Sequence, residues 1–141
     1  MNNKHTNKEI FRIIIEEGFS KGDVTVIDKQ VSSDFVEHQY GIDPPNAEGV
    51  KKAIKYLHNA FSDFSLTVED LIEDEDKVWG RMTGRGTQVG QFGLMPPTGK
   101  KIEITVIDIM RFKDGKIVEH WGVADQLAAM KQLGIKSPPK L

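Results

Sequence analysis

The sequence predicts an α+β fold, a curved antiparallel sheet wrapped over helices, and three observations carry that expectation. Apolar residues recur at helical spacing up to Phe61, they alternate from Ser65 onwards, and one helical segment closes the chain. Helices gathered ahead of a run of strands, without regular strand–helix alternation, are the pattern of an antiparallel sheet and not of parallel crossover units. At 141 residues the chain fits one domain over 1–141, with a core over about 8–134 and a loosely ordered tail over 135–141.

The elements follow in order. Residues 8–19 read as a helix with Ile10, Phe11, Ile14 and Ile15 on one side and Lys8, Arg12, Glu16 and Glu17 on the other. A second, short helix begins near Asp23, its expected N-cap, with Val24, Ile27 and Val31 facing inward. Residues 34–40, DFVEHQY, form an extended or irregular piece, and Pro44-Pro45 forces a loop. Asn46 opens a third helix over 47–60, with Val50, Ile54, Leu57 and Phe61 at helical spacing. Strands are expected over 65–73 and 77–87, joined by the charged turn Glu73-Asp74-Glu75-Asp76. Gly80, Gly84 and Gly86 mark bends or close backbone approach in the second of these. After a loop over 90–99, a long strand over 101–112 turns at Asp114-Gly115 and pairs back over 116–121. The closing helix spans 124–133, with Gly134 past its end. Such a sheet over the early helices makes a cone with an internal cavity, and its mouth is the expected ligand site.

Composition narrows the function classes. Hydrophobic residues are 38% and charged residues 28%, the balance of a water-soluble globular chain. The formal net charge of -2 argues against nucleic-acid binding, which needs a basic face. With no cysteine, disulfides, thiolate metal sites and cysteine nucleophiles are excluded. The four histidines, His5, His38, His58 and His120, lack paired ligand spacing, so no metal is expected. No apolar run approaches the ~20 residues of a membrane span. The first residues hold no apolar segment long enough for a signal peptide, so a cytoplasmic location is expected.

Chemistry concentrates near the end of the chain. His120 stands on the last strand and Asp125 where that strand gives way to helix, so a carboxylate and an imidazole can share one cavity. Asp125 is also well placed to cap the helix. Alternation puts Val118 and His120 on one face and Ile117, Glu119 and Trp121 on the other. His120 faces either the cavity or the outer sheet. Asp108 lies among aliphatic residues in ITVIDIM, sharing a face with Val106 and Met110. It is either a second cavity carboxylate or the partner of Arg111, Arg81 or Arg85 on the surface. His38, Phe61, Phe64, Trp79, Met82, Met110 and Trp121 are candidates for the wall of a pocket for a small hydrophobic ligand, with core packing as the alternative.

Several short segments carry a resemblance through their order and spacing. They are FVEH at 35–38, AFSDF at 60–64, VEDL at 68–71, RMTGRGT at 81–87, PPTGK at 96–100 and DQL at 125–127. In these the chain resembles the SnoaL-like polyketide cyclases, which have the nuclear transport factor 2-like fold. The resemblance implies a cone of three N-terminal helices packed in a strongly curved antiparallel sheet with a short C-terminal helix. It also implies an intramolecular aldol ring closure on a polyketide ester, with neither metal nor cofactor, and a general acid/base aspartate at the start of the last helix. Asp125 matches that position, and His120 or Asp108, by their own placement on the strands, would assist it. Water-activating hydrolases or dehydratases and pure binding proteins on the same scaffold are the alternatives. The apolar outer face of the sheet implies a homodimer.

Overall fold

The computed structural model describes residues 5–136. The chain runs through α1 (Asn7–Arg12), which continues as a π-helical stretch over Ile13–Ser20, then α2 (Thr25–Gln30), β1 (Val31–Glu37) and α3 (Ala47–Ala60). It goes on through β2 (Phe61–Asp74), β3 (Lys77–Gln88), β4 (Lys101–Lys113), β5 (Lys116–Ala124) and α4 (Gln126–Gln132). The tail expected to be loose falls mostly on residues 137–141, outside the described residues.

Local chemistry sets the helix boundaries. The Thr6 hydroxyl accepts the Glu9 N–H and opens α1. Asn46 Oδ1 accepts the Glu48 and Gly49 N–H groups and opens α3, as its position in the sequence predicts. Asp23 acts one residue ahead of its expected place. Val24 is the cap of α2, and Asp23 Oδ1 instead accepts from the Thr25 N–H and hydroxyl, closing a local turn. Gly134, with φ +102, ends α4, where Gly134 N–H donates to Lys131 O.

The five strands form one sheet in the order β1-β5-β4-β3-β2. Here the structure corrects the sequence expectation of three helices followed by a purely antiparallel sheet. The DFVEH segment forms a strand between α2 and α3, and it pairs in parallel with β5 at the sheet edge. The other pairs are antiparallel. Left-handed Asp114 and Gly115 make the predicted turn between β4 and β5. β5 also runs to Ala124, three residues past its expected end, which displaces the start of α4 to Gln126.

Bulges in β2, between Ser62 and Ser65 and between Val68 and Asp70, help the sheet curl. The helices fill its inner face. Ile10, Phe11 and Ile15 of the first helix are fully buried in one core with Ile54, Val78, Met82 and Met110. Each such large apolar side chain contributes about 1.5–3 kcal/mol on burial. β3 alternates strictly, so Val78, Gly80, Met82, Gly84, Gly86 and Gln88 point inward. Gly80 lets the helix approach: a Cβ there would stand 2.4 Å from Phe11 Cζ. No helix among the described residues is long and apolar enough to cross a membrane.

Candidate active site

The β1–β5 pairing creates the site. Glu37 and His120 are direct partners across that parallel pair, and Met110 of β4 lies opposite His120. Two residues along β4 on the same face stands Asp108. Inside the sheet, His120 Nδ1 lies 2.6 Å from Glu37 Oε1 and His120 Nε2 lies 2.9 Å from Asp108 Oδ1. All three residues are buried. Burial by itself drives the ring towards its neutral form. The Asp108 charge and the hydrogen bonds to Asp108 and Glu37 outweigh burial and lift the His120 pKa from 6.5 to about 10. At neutral pH His120 is therefore an imidazolium that donates from both nitrogens, one to each carboxylate.

A cavity of about 210 Å³ opens over Asp108 and His120, with Glu37 outside its lining. Its wall is mainly apolar, formed by Phe19, Phe61, Phe64, Leu66, Phe92, Ile102, Ile104 and Val106, with Tyr40 and Tyr56 near its rim. Asp108 and His120 are the charged residues of the lining. Phe92 arrives from the loop between β3 and β4, which the fully buried Gln88 organises. The Gln88 amide donates to Gly90 O and Pro96 O, and its oxygen accepts from the Thr98 N–H and hydroxyl.

The predicted site residues divide into groups. Asp108 and His120 come together, facing inward, and Phe61 and Phe64 line the cavity. The three arginines weighed as partners for Asp108 pair elsewhere: Arg81 with Asp70, Arg85 with Glu103 and Arg111 with Glu119. Met82 is fully buried core, and Met110 lies behind His120, against a small void shared with Glu37. Trp79, Trp121 and His38 are not pocket residues. Trp79 is half exposed on the outer face, and the His38 ring stacks on Trp121 there, with centroids 4.8 Å apart and planes 10° from parallel. His38 Nε2 meets Glu119 Oε2 at 2.7 Å, and this contact, followed by that of Arg111, holds the Glu119 carboxyl below its usual range.

Asp125 is likewise not buried in the cavity. Its carboxylate accepts the Ala128 N–H at 3.0 Å as the N-cap of α4, and it faces an open groove on the far side of Gln39 and Tyr40. The extension of β5 through Ala124 carries it there. Sequence reasoning missed Glu37 and Gln39. The signal for Glu37 was present: in a strand it shares the face of Phe35, which is core.

A curved sheet closed by helices over a mainly apolar cavity, with Asp108 and His120 in its lining and Glu37 behind them, defines an α+β fold built around an internal pocket. The matching family model is that of SnoaL-like polyketide cyclases, over residues 10–133. The chain belongs to this family. It is 33% identical over 89 residues to aklanonic acid methyl ester cyclase DnrD of Streptomyces peucetius, which is 62% of this chain and 61% of DnrD. The match thus spans less than two thirds of that relative. DauD of Streptomyces sp. (strain C5), of the same name, is 29% identical over 77% of this chain and 67% of its own. Among solved structures, IdmH of Streptomyces antibioticus, a candidate polyketide cyclase, superposes with a TM-score of 0.81 at 31% identity, covering 93% of this chain and 100% of IdmH. TsrD of Streptomyces laurentii reaches a TM-score of 0.83 at 27% identity, covering 95% and 98%.

Proposed function

We propose that this chain is a SnoaL-type cyclase that closes a ring in a small hydrophobic carbonyl compound, of polyketide-ester type, by general acid/base catalysis without a cofactor. The observation that carries the reading is the cavity lining: a mainly apolar wall whose charged groups are Asp108 and His120. Such a wall binds an apolar molecule and leaves few groups for proton transfer.

His120 is held as a cation between Glu37 and Asp108, so it is a poor base at neutral pH. Asp108 takes that role. Its carboxylate removes a proton from the carbon next to a carbonyl. The C–H bond breaks, its electron pair moves onto the carbonyl oxygen, and Asp108 becomes an acid. The enolate carbon then attacks a second carbonyl of the same molecule, and the new alkoxide takes the proton back from Asp108. The positive charge of His120, which keeps its bonds to Asp108 and Glu37, lies beside the cavity and offsets the negative charge that develops on the substrate oxygen. The acid/base role thereby moves from Asp125, the residue matched by resemblance, to Asp108. Exchange of carbon-bound protons in heavy water, followed by NMR with small β-dicarbonyl and aryl ketone compounds, tests this. Wild type accelerates exchange, and Asp108→Asn loses about 100- to 10,000-fold of it.

The outer face supports pairing of two copies. Ile72, Trp79, Ile109 and Trp121 are successive partners across β2, β3, β4 and β5, and Ile72 and Trp79 stay exposed. An apolar stripe of that kind is covered in a homodimer.

A further inference from the structure

We propose that the Gln39 side-chain amide serves Asp108 in both of its protonation states, across a gap that a glycine at position 122 keeps open. The inference rests on the acid/base reading of Asp108.

Gln39 leaves β1 two residues after Glu37, and its backbone N–H donates to Glu37 Oε1 at 2.9 Å. That oxygen also accepts from His120 Nδ1, so Gln39 is tied to the trio through its main chain. Its side chain turns over Gly122. A Cβ at Gly122 would stand 2.2 Å from Gln39 Oε1, 2.4 Å from Asp108 Oδ1 and 2.9 Å from His120 Cε1. Amide, carboxylate and ring therefore converge on one point. Gly122 is not among the glycines with left-handed backbone, so position 122 needs a glycine for room and not for conformation. Gln39 also lines both the cavity and the groove of Asp125, which makes it part of the wall between them.

The chemistry of the neighbours gives the amide its task. An imidazolium has donors and no acceptor. His120 thus stabilises Asp108 as a carboxylate and offers nothing to the hydroxyl of Asp108 as an acid. A primary amide has both: its NH₂ donates to a carboxylate, and its oxygen accepts from a carboxylic acid. During a cycle in which Asp108 gains a proton from carbon and returns it to oxygen, Gln39 is the neighbour able to answer both states. It is a positioning residue, acting through Asp108.

The test compares Gln39→Leu, Gln39→Glu, Gly122→Ala and Asp108→Asn, each checked for folding by thermal melting. Exchange of propiophenone and ethyl acetoacetate in heavy water is followed across pH. Gln39→Leu is expected to lose at least about tenfold at every pH. Gln39→Glu, which when protonated keeps both a donor and an acceptor, approaches wild type at acidic pH and fails as its carboxyl ionises. Equal loss at every pH in both Gln39 variants would mean a structural role and overturn the proposal. Loss in Asp108→Asn with none in Gln39→Leu would overturn this inference alone, whereas wild-type exchange in Asp108→Asn would remove the acid/base reading beneath it. A second readout needs no substrate. The Gln39 NH₂ signals, assigned by their absence in Gln39→Leu, should move in both Asp108→Asn and Gly122→Ala, and unmoved signals in Asp108→Asn would overturn the proposal.

Discussion

Glu37 and His120 are partners in register across the parallel β1–β5 pair, and their side chains meet at 2.6 Å inside the sheet. The residues next to them, His38 and Glu119, meet on the opposite face at 2.7 Å. Two histidine–carboxylate contacts of opposite direction thus pin the edge strand from both sides. The alternation of side chains across a strand makes one follow from the other. The inner pair is buried and linked to Asp108, and the outer pair is solvent-facing and linked to Arg111.

The inner pair ties stability to pH. The folded His120 pKa, about 10, lies above its unfolded value of 6.5. The stabilisation is therefore complete below 6.5 and is lost as pH rises through 10. Chemical denaturation across this range should show stability falling towards pH 10, and ring nitrogen shifts of His120 should still report an imidazolium at pH 8.

Breaking the trio should be costly. Glu37→Gln leaves the His120 cation with one carboxylate in a buried site, and the expected loss is about 3 kcal/mol of folding stability. Urea titration of both proteins at pH 7 checks this. A loss below about 0.5 kcal/mol would mean that water reaches the pair.

The first helix depends on the glycine beneath it. Gly80→Ala would place a Cβ 2.4 Å from Phe11 Cζ and 2.9 Å from Leu71 Cδ2. Fully buried Phe11 has little room to withdraw, so a destabilisation of about 1–3 kcal/mol is expected, measured by the same titration.

The outer face makes a separate prediction. Wild type should have the mass of a dimer in light scattering at micromolar concentration, and Trp79→Glu, a charge amid the exposed stripe, should have that of a monomer. A monomeric wild type would refute the pairing.

How far the sequence reached is visible residue by residue. Periodicity sufficed for α3, the β2–β3 hairpin and the Asp114-Gly115 turn, because each is fixed by local spacing and turn chemistry. It also put Asp108 on the face of Val106 and Met110, which proves to be the inner one. The parallel pairing of β1 with β5 was not legible, since it joins segments some 80 residues apart and depends on the whole sheet. Without it, Glu37 and His38 cannot be sorted between faces from the sequence, and His38, expected on the pocket wall, lies on the outer face while Glu37 points inward. A bulge at Val118 also breaks the alternation on which the faces of β5 were assigned. Phe112 pairs with Ile117 and Arg111 with Glu119, so Ile117 is core although Glu119 and Trp121 lie outside. Asp125 keeps the position expected at the start of the last helix, and its carboxylate caps that helix in an open groove.

Proton transfer is assigned to Asp108, in the trio with His120 and Glu37. The most direct measurement is carbon-bound deuterium exchange of a β-dicarbonyl and an aryl ketone with wild type, Asp108→Asn and Asp125→Asn side by side. Asparagine still caps a helix, so Asp125→Asn keeps α4 in place. Exchange should be lost in Asp108→Asn and retained in Asp125→Asn. Exchange lost in Asp125→Asn and retained in Asp108→Asn would return the acid/base role to Asp125.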